Sequence, residues 1–218
     1  MKHITCADLP TLVEEVEGAL IDAIGMTGHT PFSIALSGGA TPRLLYQSLA
    51  MTPLIEWAKV ELFFGDERPV PPEDPESNFG MVKAALLDHV KVLAHPMRAA
   101  QGEAEAYEAL IRARVPQVRD GVPVLDLVLL GLGADGHTAS LFPNTPALGE
   151  TAKLVVMNAP PQRMTITLPL INAAKRVWIL AAGAGKKEIV ERAKGAASGL
   201  PVQQVRPTHG ELVWWVAP

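Results

Sequence analysis

LDLVLLGLGADGHTASLFP, from Leu125 to Pro143, is the stretch that decides the fold, because its apolar run stops abruptly at a glycine-rich turn. The run from Leu125 to Leu130 has almost no polar alternation, which predicts a strand buried on both faces. Asp135 and His137 lie within the turn. Open α/β sheets bind ligands at the carboxyl ends of their strands, and histidine titrates near neutral pH. The stretch therefore predicts a buried parallel strand whose end carries groups suited to acid–base chemistry.

Strands and helices alternate along the rest of the chain. Asp8 is suited to cap a helix with one apolar face that stops at Gly25. Thr41 is expected to cap a second helix whose first residue is Pro42, where a missing N–H costs nothing. The other predicted strands are 32–36, a run from residue 60, KLVVMNAP (153–160), RVWILAAGAG (176–185) and ELVWWVA (211–217). The other predicted helices are SNFGMVKAALLDHV (77–90), GEAEAYEALIRARV (102–115) and 187–197.

This alternation predicts an α/β fold with an open, mostly parallel sheet and helices on both faces. We expect a single domain over residues 1–218, because the alternation continues through every loop. The segment RPVPPEDPESN, from Arg68 to Asn78, has four prolines and is predicted to be an extended, stiff loop and the most mobile one.

Composition excludes several classes of protein. The 218 residues are 48% hydrophobic and 19% charged, which is typical of a globular chain. The net charge of −4 gives no generally basic surface for nucleic acid. No apolar segment is long enough to span a bilayer, and the first ten residues lack the apolar core of a signal peptide. The single cysteine, Cys6, cannot form an intramolecular disulfide. We therefore expect a cytoplasmic protein that binds neither nucleic acid nor membrane.

One histidine differs from the others in its setting. The other five follow no metal-ligand spacing and are interpreted as surface or packing residues: His3, His29, His89, His95 and His209. His137 lies among glycines at a strand end, next to the apolar residues of SLF. That setting favours a general base over a structural histidine. No metal site is predicted.

Three polar segments follow predicted strands and would meet at one edge of a parallel sheet. They are Ser37 to Thr41, Asp66 to Arg68, and Asp135 to His137. A fourth, GAGKK (183–187), adds Lys186. Together they predict one pocket with backbone donors, two cations, carboxylates and an imidazole.

The turn SGGATP (37–42) is either a phosphate cradle or a tight turn without a ligand. Gly38 and Gly39 would let the backbone approach an anion, and the following helix would offer free N–H groups. The turn lacks the Walker lysine and a full dinucleotide fingerprint, so no nucleotide cofactor is indicated. In GDER, Arg68 could grip a phosphate bidentately and Asp66 could orient a sugar hydroxyl, or the segment could be a solvated loop.

Four segments, in the same order and over nearly the whole chain, resemble the 6-phosphogluconolactonases. They are LSGGATPRLLY (36–46), FFGDERPVPPEDPESNFGM (63–81), DLVLLGLGADGHTASLFP (126–143) and PQRMTITLPLIN (161–172). The resemblance implies hydrolysis of 6-phospho-D-glucono-1,5-lactone to 6-phosphogluconate in the oxidative pentose phosphate pathway. It also implies a Rossmann-like fold shared with glucosamine-6-phosphate deaminases, and no required metal or other cofactor.

Two alternatives to the lactonase stay open. The deaminases share the glycine-rich turn and the Asp-Gly-His element, but they usually carry Asp-Glu-Tyr where this chain has Asp66-Glu67-Arg68. They continue after the histidine into an Asn-Glu segment, whereas TASLFP (138–143) has no carboxylate, which favours the lactonase. A non-catalytic sugar-phosphate sensor is the other alternative, and the presence of both His137 and Asp66 argues against it.

In the lactonase interpretation, His137 deprotonates the attacking water. Asp135 need not face His137 and is expected to help shape its loop, and Asp66 completes the catalytic set. The predicted substrate- and phosphate-binding residues are Ser37, Gly38, Gly39, Thr41, Arg43, Arg68, Gly133, Gly136, Arg163 and Lys186. Lys187 is an alternative to Lys186, and Arg43 could instead project into solvent. The expected partner is a small sugar phosphate, and the expected assembly is a monomer or a weak homodimer.

Overall fold

The computed structural model describes residues 1–28, 31–195 and 199–218. The strands of these residues are β1 (Lys2–Thr5), β2 (Phe32–Leu36), β3 (Val60–Phe64), β4 (Asp66–Glu67), β5 (Leu93–Ala94), β6 (Val118–Arg119), β7 (Val122–Pro123), β8 (Leu127–Gly131), β9 (Val155–Asn158), β10 (Arg163–Ile166), β11 (Arg176–Ala182) and β12 (Glu211–Ala217). The helices are α1 (Leu9–Gly25), α2 (Ala40–Met51), α3 (Asn78–Val82), α4 (Ala104–Arg114), α5 (Leu168–Ala173) and α6 (Lys187–Lys194). The last two residues of the helix predicted at 187–197 lie outside the described residues, as does His29.

Seven strands of the described residues form one sheet in the order β1-β12-β11-β8-β2-β3-β5, and all of its neighbouring pairs are parallel. Every residue of β2 and β3 is buried, as are four of the five residues of β8. Strands buried on both faces need a covering layer on each side. The predicted α/β fold with a mostly parallel sheet is therefore confirmed.

The first helix forms where the sequence predicts it. The Asp8 carboxylate accepts a hydrogen bond from the Thr11 N–H at 2.9 Å, which satisfies one of the free donors at the start of α1. Its apolar face buries Leu12, Val16 and Leu20. The predicted cap and the predicted end at Gly25 both agree with the structure.

The start of the second helix differs from the prediction. Helix α2 begins at Ala40, and Gly39 rather than Thr41 is its N-cap residue. Gly39 has a φ of +106°, a backbone conformation that residues other than glycine rarely adopt. The chain can therefore turn at Gly39 and enter the helix two residues earlier, with Pro42 still within the first turn. No side chain of the described residues caps the free N–H groups of α2.

A second sheet was not predicted from the sequence. Strands β4, β10 and β9 form an antiparallel sheet, so the segment KLVVMNAP does not join the parallel one. Strands β6 and β7 form a separate antiparallel pair. Strand β1 was not predicted either, and it pairs with β12 at the edge of the main sheet.

The proline-rich loop after β4 is not extended, contrary to the prediction. It folds back through turns in which the Asp74 N–H donates to the Pro71 carbonyl at 3.0 Å and the Ser77 N–H donates to the Asp74 carbonyl at 2.9 Å. Ser77 then caps α3, because its hydroxyl accepts from the Gly80 N–H at 3.0 Å. Helix α3 continues as a π-helical turn over Lys83–Leu87.

None of the helices in the described part of the chain combines the length and the apolar character that a membrane span requires.

Candidate active site

A cavity of about 460 Å³ opens at the carboxyl edge of the seven-stranded sheet. Its walls come from the segments that follow β2, β3, β8 and β11. The lining residues are 37–42, Asp66, Arg68, Asn78, 131–134, 137–139, Leu180, Ala182 and Lys186. The structure thus brings together the four polar segments that the sequence placed at strand ends.

His137 and Asp135 form a hydrogen-bonded pair within the loop that follows β8. The Asp135 Oδ1 lies 2.5 Å from the His137 Nδ1 and 3.1 Å from the His137 backbone nitrogen. An ionised carboxylate only accepts, so Nδ1 carries the proton and Nε2 of the neutral ring is free to act as a base. Partial burial raises the pKa of Asp135, but the hydrogen bonds from His137, and the charge of its ring when protonated, outweigh that increase and hold the pKa below its ordinary value.

The His137 ring is held in place by its neighbours. Its centroid lies 4.4 Å from that of Phe142, so Phe142 packs beside the ring rather than lining the cavity. A Cβ on Gly133 would lie 2.1 Å from the His137 Nδ1, so only glycine leaves room for the ring there. The Gly133 N–H also donates to the His137 carbonyl at 2.8 Å. The loop therefore fixes the imidazole by backbone and side-chain contacts together.

Asp66 lies on the cavity wall and is buried. Its Oδ2 accepts from the Ser140 hydroxyl at 2.6 Å, and its Oδ1 accepts from the Asn78 amide at 3.2 Å. Burial raises the pKa of Asp66. The Ser140 hydrogen bond and the positive charges of Arg68, His137 and Arg163 offset only part of that increase. This carboxyl group therefore costs folding free energy when it ionises.

The turn between β2 and α2, which the sequence predicts to be a phosphate cradle, lines one side of the cavity. The Ser37 N–H is already engaged, because it donates to the Tyr46 hydroxyl at 3.0 Å. The Ser37 hydroxyl accepts from the Gly131 N–H at 3.1 Å and so ties β2 to β8. Donors that remain for a ligand include the N–H groups in the first turn of α2, where Ala40 and Thr41 line the cavity.

Two cations line the cavity. Lys186 reaches in from the segment after β11, and its Nζ donates to the Leu132 carbonyl at 2.6 Å. Lys187, the alternative to Lys186 that the sequence left open, does not line the cavity. The Arg68 Nη1 donates to the Glu76 carbonyl, while its buried Nε has no hydrogen-bond partner among the described residues. An anion bound between these side chains would satisfy that donor.

Three residues of the predicted binding set do not line the cavity. Arg43 is exposed on α2 and lies beside the proline-rich loop. Arg163 lies on β10, where its Nη1 donates to the Gln162 carbonyl at 2.8 Å. Gly136 packs under Leu200, where a Cβ would approach to 2.8 Å, and its φ is +83°. Gly136 therefore shapes the His137 loop from behind.

The site includes polar residues that were missed in the sequence, among them Asn78 and Ser140. Asn78 lines the cavity, and its amide also donates to the Asp66 carbonyl at 2.8 Å. Ser140 supplies the hydroxyl that holds Asp66, and its own N–H donates to the Thr165 hydroxyl at 3.1 Å. The signal for Asn78 was its place behind Ser77 at the start of a helix, and nothing local marked Ser140. The described residues contain no group of three or more His, Cys, Asp or Glu side chains placed to hold a metal ion.

An imidazole–carboxylate pair, two cations and an uncapped helix start around one cavity of an open α/β sheet are typical of enzymes that act on small anionic metabolites. The chain belongs to the glucosamine-6-phosphate isomerase/6-phosphogluconolactonase family, whose model matches residues 8–214.

Individual relatives agree with this assignment. The 6-phosphogluconolactonase of Mycobacterium bovis is 38% identical over 96% of this chain and 92% of its own length. The "GDH/6PGL endoplasmic bifunctional protein" of Oryctolagus cuniculus is 41% identical over 94% of this chain, which spans only 27% of that longer protein. The crystal structure of 6-phosphogluconolactonase from Leishmania guyanensis superposes with a TM-score of 0.88 at 30% identity, over all of this chain and 96% of that one.

Proposed function

We propose that this protein hydrolyses 6-phospho-D-glucono-1,5-lactone to 6-phosphogluconate, the reaction of the oxidative pentose phosphate pathway that the sequence predicts. The observation that carries the proposal is the 2.5 Å contact between Asp135 and His137 at the edge of the cavity. It leaves an unprotonated ring nitrogen where a water beside the bound ester would be activated. A protein that merely senses a sugar phosphate has no need of such a pair.

We assign both proton transfers of the reaction to His137. The His137 Nε2 takes a proton from water as the water oxygen bonds to the lactone carbonyl carbon, and the carbonyl electrons move onto its oxygen. The tetrahedral intermediate collapses, the bond to the ring oxygen breaks, and protonated His137 returns the proton to that oxygen. The products are a free hydroxyl and a carboxylic acid, which loses its proton to solvent and becomes the carboxylate. Asp135 stabilises the imidazolium formed between the two steps.

The protein holds the substrate by its phosphate group, which lies at the other end of the molecule from the reacting carbonyl. We assign the phosphate to the first turn of α2 together with Arg68 and Lys186, because these are the cavity's cations and free backbone donors. Asp66 is placed to accept a hydrogen bond from a sugar hydroxyl. Binding the phosphate there orients the ester beside His137, which converts binding energy into rate. The cytoplasmic location and the monomer or weak homodimer stay predictions from the sequence.

The first test separates the lactonase from the deaminase, the alternative enzyme that the sequence leaves open. We expect the purified protein to open the phosphorylated lactone. Base titration measures the acid that is released, and rapid mixing is needed because the lactone also opens spontaneously. We expect no ammonia from glucosamine 6-phosphate, because deamination needs a second placed acid or base and TASLFP (138–143) offers none. Ammonia release at a rate comparable to lactone opening would overturn the proposal.

The second test concerns the base. We expect His137→Ala to lower the catalysed rate by about 10²-fold to 10⁴-fold, the range for removal of a general base, with the fold intact by circular dichroism. His209→Ala is the matched control, because His209 is exposed and does not line the cavity. Near wild-type turnover in a folded His137→Ala protein would remove His137 from the mechanism.

A further inference from the structure

Glu67 lies between two cavity residues but faces away from the cavity. Successive side chains of a strand point to opposite sides, so Asp66 and Arg68 reach the cavity while Glu67 does not. Glu67 is nevertheless buried, with 3% of its surface exposed. A buried carboxylate outside the reacting centre requires its own set of partners.

Both oxygens of Glu67 are filled by donors from the two ends of one loop. Its Oε1 accepts from the backbone N–H groups of Arg68 and Asn78, each at 2.8 Å. Its Oε2 accepts from the Phe79 N–H at 2.7 Å and from the Ser77 hydroxyl at 3.2 Å. Hydrogen bonds to an ionised acceptor are about twice as strong as neutral ones. One carboxylate therefore closes the loop 68–77 and supplies acceptors for the first N–H groups of α3.

We propose that Glu67 is the positioning residue for substrate binding: it holds Arg68 and Asn78 in the cavity by fastening both ends of the loop between them. This inference rests on the proposed function, in which Arg68 binds the phosphate. Arg68 is the first residue of the loop and Asn78 the first after it, and the Glu67 Oε1 binds the backbone of both. Loss of this acceptor would loosen the backbone of both residues together.

The contacts that hold His137 do not involve Glu67. His137 is held by Asp135, by the Gly133 N–H and by the contact with Phe142, and none of these groups touches Glu67. Loosening the loop 68–77 should therefore weaken substrate binding more than the chemical step. This difference separates positioning of substrate from a general loss of stability.

Glu61 provides a matched control on the preceding strand. It is also buried, with 1% of its surface exposed, and its Oε1 lies 2.5 Å from the His95 Nε2 and 2.6 Å from the Arg114 Nε. It lies near the amino end of β3, at the edge of the sheet opposite the cavity. A variant of Glu61 reports what loss of a buried carboxylate does to stability without any contact to the site.

The experiment compares Glu67→Gln with Glu61→Gln. The glutamine at 67 turns one acceptor into a donor that faces the Phe79 N–H or the Arg68 N–H. We expect KM to rise and affinity for 6-phosphogluconate in calorimetry to fall by about tenfold to 100-fold, with a smaller change in kcat. We expect faster hydrogen exchange at residues 68–79. Glu61→Gln should lower the melting temperature and leave KM within about twofold of wild type.

Several outcomes would overturn the inference. One is a KM of Glu67→Gln close to wild type, and another is an equal rise in KM for Glu61→Gln. If Glu67→Gln does not fold, Glu67→Asp, which keeps the charge, takes its place beside Glu61→Asp. Failure of Glu67→Asp alone to fold would make Glu67 a folding residue and overturn its positioning role. Absence of lactone opening in the wild-type protein would overturn the proposed function, while the exchange measurement would still test the fastening of the loop.

Discussion

Asp66 illustrates how the site trades stability for function at the scale of one residue. Its carboxyl group is buried on the cavity wall and receives hydrogen bonds from Ser140 and Asn78 but no direct ion pair among the described residues. A buried acid of this kind favours its protonated form. The free energy that its ionisation costs in the folded chain is offset by interactions elsewhere in the fold.

The raised pKa of Asp66 makes the stability of the protein depend on pH. Because the folded pKa of Asp66 is raised, the wild-type protein loses stability as pH rises from the ordinary aspartate range through that raised pKa, by about 1.4 kcal/mol for each unit of the increase. Asp66→Asn removes this loss and can still pair with Asn78 and Ser140. We expect its melting temperature relative to wild type to increase from about pH 4 to about pH 8.

Calorimetry at each pH measures this difference. Asp88→Asn serves as the control for loss of a carboxylate, because Asp88 is exposed and does not line the cavity. A difference between Asp66→Asn and wild type that stays constant or decreases with pH would contradict the raised pKa.

The sequence predicted the residue types of the site better than their partners. His137 was identified because a histidine among glycines at a strand end is visible in the order of residues. Its contact with Asp135 was not expected, since residues two apart face each other only when the backbone turns sharply between them. Here Gly136, with its φ of +83°, makes that turn. The link from Ser140 to Asp66 spans 74 residues and has no local signal.

At the scale of elements, the turn after β2 and the start of α3 fit against each other. Gly38 leaves room for the Asn78 side chain, whose Oδ1 would lie 2.0 Å from a Cβ at position 38. The same Asn78 side chain donates to Asp66. The glycine of the predicted phosphate cradle is therefore required by a neighbouring helix as well as by any ligand.

We expect Gly38→Ala to lower stability by about 1–3 kcal/mol, the usual cost of overpacking, and to reduce activity. The double variant Gly38→Ala/Asn78→Ala removes the collision and should recover part of that stability, a coupling that a double-mutant cycle in denaturant measures. Gly18→Ala in α1 is the control, because a Cβ there meets no atom within 4 Å and alanine favours a helix. Additive effects of the two substitutions would show that the collision does not matter.

Long buried elements were predictable and short or exposed ones were not. Strands β2, β3, β8 and β11 are runs of apolar residues and were placed within a few residues of their observed bounds. Strand β4 has two residues, Asp66 and Glu67, and its sequence is typical of a charged turn. Strand β1 has no fully buried residue, so its sequence carries no apolar pattern. Both owe their structure to pairing with distant partners.

At the scale of the whole molecule, the parallel sheet and the family were predicted because they depend on patterns repeated over the full chain. The antiparallel sheet of β4, β10 and β9 was not, because its strands belong to segments separated by about a hundred residues and nothing local distinguishes them from strands of the main sheet. This small sheet brings β4, and with it Asp66 and Arg68, up to the cavity. The part of the fold that was missed is therefore part of what builds the site.

The position of β12 inside the main sheet has a consequence for synthesis of the chain. Strand β12 lies between β1 and β11, so the first strand of the sheet to be synthesised pairs, within the described residues, with the last. While the ribosome is still translating, β2, β3, β8 and β11 can already pair, but the Lys2–Thr5 segment must wait for its neighbour. The nascent chain therefore carries an unpaired β1 segment, and the exposed flank of β11, until residues 211–217 have left the exit tunnel.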